Sequence, residues 1–329
     1  MRSSRLLPLG CVLLLLVGQL RGVTNSAPES VEQPAIRVTE RQEYIVEETL
    51  VLRNAGPGEP EKQNVWVALI RDFPPYQEVT AQEIAPQEYR PVVDEYGNRY
   101  AEFDFSKQPA GTTRTVSIKT RVVVNRLQYD LSDCRGKLLD NFVQPELHIE
   151  SANPQIIDLA NKLAAGTNTV CQETWAFYNY TAEHLAYTYN GQNWGAQATL
   201  GPMGADCSEY ASLLIALSRS QGIPARYFEG LRYVAAGSQN AENPQHAWAD
   251  VYLPGIGWTA MDPTLGRSGL LREDYFAHYT PDHIIVTMGV NPSTLRGSSY
   301  WAHLYWPGSA ADISAESLTW KIDPVTGGD

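Results

Sequence analysis

A chain of 329 residues with 43% hydrophobic and 19% charged residues can bury one large core or two ordinary ones, which excludes wholesale disorder. Its formal net charge of −12 excludes nucleic acid or an anionic membrane surface as the main partner, because phosphate-rich surfaces are met by basic patches. No run of five or more like charges marks a charged tail.

At the start of the chain, Arg2 and Arg5 precede an apolar stretch from Leu6 to about Gly18, and small residues follow near Asn25, Ser26 and Ala27. This pattern predicts an export signal over residues 1–26 and a periplasmic or extracellular destination. The apolar run is short of the roughly 20 residues a spanning helix needs, so cleavage is expected in preference to an anchor, with no stable membrane insertion afterwards. Loss of Cys11 with the signal leaves Cys134, Cys171 and Cys207. In an oxidising compartment Cys134 and Cys171 are candidates for a disulfide, the alternative being buried inert thiols, and Cys207 is then the odd thiol.

Residues 27–132 read as strands. Val116, Ile118, Thr120, Val122 and Val124 alternate with Ser117, Lys119, Arg121 and Val123, and Ala101, Phe103 and Phe105 alternate with Glu102 and Asp104. Breakers such as Asn54-Ala55-Gly56-Pro57-Gly58, Pro74-Pro75 and Pro109-Ala110-Gly111 separate these runs, predicting a β-sandwich accessory domain. Residues 133–150 are expected to link it to a second domain over 151–329. There, Asn153-Pro154 predicts a helix start, with Ile156, Leu159, Ala160 and Leu163 at helical spacing. A second start falls near Thr169, where Gln172 completes a capping box.

Chemistry concentrates further on. Gly201-Pro202-Met203-Gly204-Ala205-Asp206-Cys207 is a tight loop feeding a helix, whose apolar stripe is Tyr210, Leu213, Leu214 and Leu217. Cys207 falls in the first turn, where free backbone N–H groups and the positive dipole end favour a thiolate and where its own N–H offers half of an oxyanion hole. A hairpin supplies partners. In His246-Ala247-Trp248-Ala249-Asp250-Val251-Tyr252 the even positions share a face, and after Pro254-Gly255 the return strand aligns Trp258, Ala260 and Asp262. Two registers match these faces: Tyr252 opposite Ile256, or Leu253 opposite Gly257. The first puts His246 directly across from Asp262 and the second makes them diagonal neighbours, within about 8 Å either way. Asp262 is thereby placed to orient the imidazole of a nucleophile–base–acid set.

Taken in order, Gly204-Ala205-Asp206-Cys207-Ser208-Glu209-Tyr210-Ala211, Gly222-Ile223-Pro224-Ala225-Arg226, His246-Ala247-Trp248, Gly257-Trp258 and Asp262-Pro263-Thr264 resemble the transglutaminase-like core. The resemblance covers about Gln155 to Thr264. It implies an α+β, papain-related fold with a nucleophile helix packed on an antiparallel sheet. It also implies Cys207 as nucleophile, His246 as general base and then acid, and Asp262 as orienter. The activity implied is acyl transfer from a peptide or glutaminyl carboxamide through a thioester, on a protein or peptide substrate. Water as acceptor makes a peptidase or amidase, the preferred expectation, and an amine makes a cross-linking transglutaminase. The non-enzymatic alternative is a peptide- or glycan-binding module retaining the fold. For the second oxyanion donor the candidates are Trp194 and Gln197. His148, His184, His278, His283 and His303 are scattered, without His-x-x-x-His or Cys-x-x-Cys spacing, so no metal and no cofactor is expected. Asp282-His283 reads as the beginning of a strand.

Overall fold

The computed structural model describes residues 35–235, 243–308 and 310–326, and the export signal expected over 1–26, with Cys11, lies outside them. The alternating runs become long strands. β1 (Ile36–Asn54) pairs antiparallel with β6 (Thr113–Tyr129), which also takes β3 (Gln77–Ala85). β2 (Lys62–Leu69), β4 (Arg90–Val93) and β5 (Arg99–Asp104) belong to a second antiparallel sheet. Between the sheets, Leu50, Leu52, Val116 and Ile118 meet Val65, Val67, Ala101 and Phe103 in one apolar cluster. Each fully buried side chain of this kind stabilises by about 1.5–3 kcal/mol.

Three helices follow. α1 (Pro154–Ala164) is capped by Asn153, and α2 (Val170–His184) by Thr169, whose hydroxyl accepts from the Gln172 backbone N–H at 3.2 Å. α3 (Cys207–Ser220) is buried on every face from Glu209 through Arg219, taking Ser212, Ser218 and Arg219 inside with its apolar residues, where α1 is amphipathic. A third antiparallel sheet, in the order β11 (His283–Met288), β7 (Ala225–Arg232), β8 (Gln245–Leu253), β9 (Gly257–Met261), packs against α3. The described residues form an α+β fold, with the helix that opens at Cys207 packed on an antiparallel sheet.

The chain-order division at residue 151 does not separate the sheets. β12 (Trp301–Trp306) pairs with β2, β13 (Ile313–Pro324) pairs with β1, and the short β10 (His278–Tyr279) pairs with β6. The helices and the third sheet are thus inserted between strands of the sandwich, and the C-terminal strands close it. The physical reason is edge protection: β1 and β2 present unpaired backbone until late strands cover them. The same β1 and β6 faces run on, through Tyr44, Val46, Val122 and Val124, into a second core with Phe228, Trp248 and Tyr279. Residues 133–150 are likewise tied down. Cys134 forms a disulfide with Cys171, and Glu146 pairs with the buried Arg219 at 3.0 Å.

Side-chain amides lock β11 to the sandwich. Gln77 donates to the Ile285 carbonyl and accepts from its N–H, at 2.9 and 2.7 Å. Asn98 does the same to Met288, at 2.8 Å both ways. Beside them, the Tyr76 hydroxyl donates to Asp250 Oδ1 at 2.8 Å, and Arg226 pairs with the same carboxylate. These bonds hold rigid the sheet that carries the site.

Candidate active site

Cys207 opens α3, half-buried and outside any disulfide. Its position is fixed by a capping box. The Asp206 Oδ1 accepts from the Ser208 N–H at 2.9 Å, while Glu209 Oε2 accepts from the Asp206 N–H at 2.8 Å. The two carboxylates also gather the preceding loop. Asp206 Oδ2 accepts from the N–H groups of Asn190 and Gly191, and Glu209 takes the Asn190 amide at 3.0 Å and the Trp194 N–H at 2.7 Å. Burial pushes the Glu209 carboxyl up, opposed by these donors.

The hairpin adopts the register with Leu253 opposite Gly257, so His246 and Asp262 are the diagonal pair, Asp262 lying one residue beyond β9. Tight turning at Pro254-Gly255 is allowed because Gly255 sits at φ +80°. His246 Nε2–H donates to Asp262 Oδ2 at 2.7 Å, both side chains being buried. That leaves Nδ1 as the nitrogen to face the thiol. Burial alone would push the imidazole down, but the Asp262 charge and hydrogen bond, with Cys207 adding to them, raise it to about 9. Burial likewise works against the Asp262 carboxylate, and the two histidines reverse this, holding it far below the usual range.

The second histidine is His283. Its Nε2–H donates to the same Asp262 Oδ2 at 3.2 Å, while its Nδ1 faces Asp282 Oδ1 at 3.1 Å and the Thr280 hydroxyl at 2.8 Å. Trp248 packs edge-on to its ring at 4.9 Å. Burial opposes its charge as well, but Asp282 and Asp262 raise it to about 9. Periodicity placed His283 only at the beginning of a strand. The acidic neighbour Asp282 was the available signal of a charged partner, but its contact with Asp262 depends on β11 reaching the site across β7. His246, Asp262 and His283 hold ligand atoms within 4.8 Å of one another, the spacing of a metal set. Both Nε2 atoms stand at hydrogen-bond distance from one Asp262 oxygen, so the carboxylate serves as shared acceptor for two ring N–H donors.

Two cavities meet at Cys207 and His246. The larger, of about 470 Å³, runs past Tyr227, Glu229 and Tyr300, and the smaller, of about 380 Å³, past Tyr187, Leu265 and Arg267. Both volumes suit a small-molecule or peptide cleft. Trp194 and Gln197 lie elsewhere. The Trp194 N–H is held by Glu209 and the Gln197 N–H by Glu150 at 3.1 Å, and both residues line a separate cavity with Met203. Neither is placed as an oxyanion donor. The loop instead turns Gln192 and Asn193 into the larger cavity, because the Asp206 and Glu209 carboxylates pin it two residues earlier than the upstream amides suggested. Asn193 is engaged with Gly195 and Ser212, which leaves Gln192 as the amide side chain of this loop without a hydrogen-bond partner among the described residues.

Residues 157–263 match the family model described as the Transglutaminase-like superfamily, and this segment is a transglutaminase-like core. Across 89% of its length the chain is similar in fold to a "Putative Cysteine Protease from Cytophaga hutchinsonii", covering 94% of that chain with a TM-score of 0.66 at 15% identity. The periplasmic domain of TgpA from Pseudomonas aeruginosa matches 68% of this chain and 90% of its own, with a TM-score of 0.36 at 16% identity. Among curated proteins, the uncharacterized protein YebA of Bacillus subtilis is 31% identical over 98 residues, 27% of this chain. An uncharacterized protein of Haemophilus influenzae is 33% identical over 81 residues, 20% of this chain. The chain spans only 13% of the first relative's length and 22% of the second's.

Proposed function

We propose that this protein is a cysteine-dependent acyl-transfer enzyme acting on peptide or side-chain carboxamide bonds, with water as the acceptor. The observation that carries the reading is the convergence of Cys207 and His246 where two cavities join, with the far nitrogen of His246 held by Asp262. In the reaction the Cys207 proton already rests on His246 Nδ1, as a thiolate–imidazolium pair, and the sulfur attacks the carbonyl carbon. The developing oxyanion is met by the Cys207 backbone N–H, free because it belongs to the first helical turn, and by the Gln192 amide. The C–N bond then breaks, His246 gives its proton to the leaving amine, and a thioester remains. Water, deprotonated by His246, attacks the thioester and returns a carboxylate and the free thiol. Asp262 keeps the imidazole in the tautomer that presents Nδ1 to the sulfur.

Among the described residues no helix is long and apolar enough to cross a membrane. The Cys134–Cys171 disulfide favours an oxidising compartment, which agrees with an exported protein. The test is turnover of a peptide and carboxamide panel followed by mass spectrometry, with and without an added primary amine. Release of free acid that disappears in Cys207→Ala and in His246→Ala is the expected result. Turnover persisting in Cys207→Ala would reject the nucleophile, and conjugation to the amine in place of hydrolysis would reassign the acceptor.

A further inference from the structure

The two cavities differ in charge. Among the described residues the larger is lined by no Lys or Arg, and the smaller by no Asp or Glu. In the larger, Glu229 of β7, between Ala247 and Thr287 on the flanking strands, has no ion-pair partner among the described residues. Burial pushes its carboxyl up to about 7, with the Ser299 hydroxyl pulling the other way. Glu229 is half-buried at the cavity wall, and a cation delivered into the cavity offsets the cost of holding its carboxylate there without a counter-ion. Asp206 adds negative charge on the same side, its oxygens already engaged by backbone N–H groups.

In the smaller cavity Arg267 is the counterpart. It donates to the Thr264 carbonyl and lies 4.5 Å from the centre of the Tyr187 ring, and among the described residues it has no carboxylate partner. The other guanidinium there, Arg232, is neutralised by Asp282 at 3.0 Å. Tyr187 shares the wall with Arg267, and its ring face steadies the exposed guanidinium at the mouth of the cavity.

Resting on the acyl-transfer reading, we propose that the cleft selects a peptide-like substrate bearing a cationic group on one side of the reacting carbonyl and an anionic group on the other, received by Glu229 and Arg267 respectively. The test uses peptides of equal length, blocked at both ends, with the charge order across the reacting bond set as cation–anion, anion–cation, or neutral on both sides. One charge order exceeds both its reverse and the neutral peptide in kcat/KM by about tenfold or more, the size of a single charge-assisted hydrogen bond. In Glu229→Gln the cation's share of that preference collapses to near one, and in Arg267→Gln the anion's share does. Two charge orders within about twofold of each other in the wild-type protein, which needs no variant to fold, would overturn the proposal. The same peptides are tested for protection of Cys207 against iodoacetamide, which requires no turnover. Protection that follows charge order without any product keeps the charge selection and rejects the acyl-transfer reading; product formed without charge order does the reverse.

Discussion

Removing His283 probes the network behind the imidazole. Its ring and that of His246 share Asp262 Oδ2, and the two ring centres stand 5.5 Å apart. Both imidazoles are raised to about 9 against their burial, so both carry charge at neutral pH. Two cations at that separation repel by about 3 kcal/mol at an effective dielectric of about 20, and by about 0.8 kcal/mol in bulk water. At about 1.4 kcal/mol per pH unit, the bracket runs from about half a unit to about two. In His283→Ala the titration of His246 therefore moves upward by about one unit, because a competing cation is gone and Asp262 serves one ring. Its ring protons, followed by NMR in histidine-labelled protein, read this directly, and the high-pH limb of kcat/KM moves the same way. For stability the sign is separate. A histidine raised in the folded state stabilises fully below about pH 6.5, and that contribution is lost as pH rises through about 9. Wild-type protein thus weakens across that window, and His283→Ala weakens less. A His246 titration that stayed still or moved downward would refute the shared-carboxylate reasoning.

Three further outcomes follow from particular contacts. The Cys134–Cys171 bond closes a separation of 37 residues, for which loop entropy gives about 3.8 kcal/mol; Cys134→Ser should lose most of that in urea unfolding, and a loss below about 1 kcal/mol would contradict it. Asp250→Ala strands the Arg226 guanidinium, now 2.7 Å from a fully buried carboxylate, and should cost about 3–5 kcal/mol by the same measurement. Glu209→Ala releases the Trp194 and Asp206 N–H groups and the Asn190 amide, so a loss of about 2 kcal/mol is expected together with at least about tenfold lower turnover. Unchanged turnover in folded Glu209→Ala would mean the loop does not help to build the site.

Local patterns carried much of the fold. Alternation at Val116–Val124 and the caps at Asn153 and Thr169 are short-range signals, and each corresponds to an element. The β8–β9 hairpin was legible for the same reason: two glycines and a matched face leave few registers, and one of the two considered is the one formed. What the sequence concealed was long-range. Pairing of β13 with β1 joins residues such as Leu50 and Leu318, and strand periodicity cannot state which distant edge a strand will cover. His283 was hidden in the same way, since its partner Asp262 is reached only through the order β11-β7-β8-β9. The course of the loop that carries Trp194 was not legible because a loop has no periodicity. Its course is set by Asp206 and Glu209, whose side-chain targets no spacing rule gives.

The central claim is a covalent bond at one sulfur. Intact-mass analysis of the purified protein, quenched in acid during turnover of its best peptide, should show a mass gain equal to the acyl fragment. Proteolysis should place that fragment on the peptide containing Cys207, and hydroxylamine should remove it. Product formation by the wild-type protein with no acyl adduct on any residue under rapid quench, or with the adduct on a residue other than Cys207, would contradict the account.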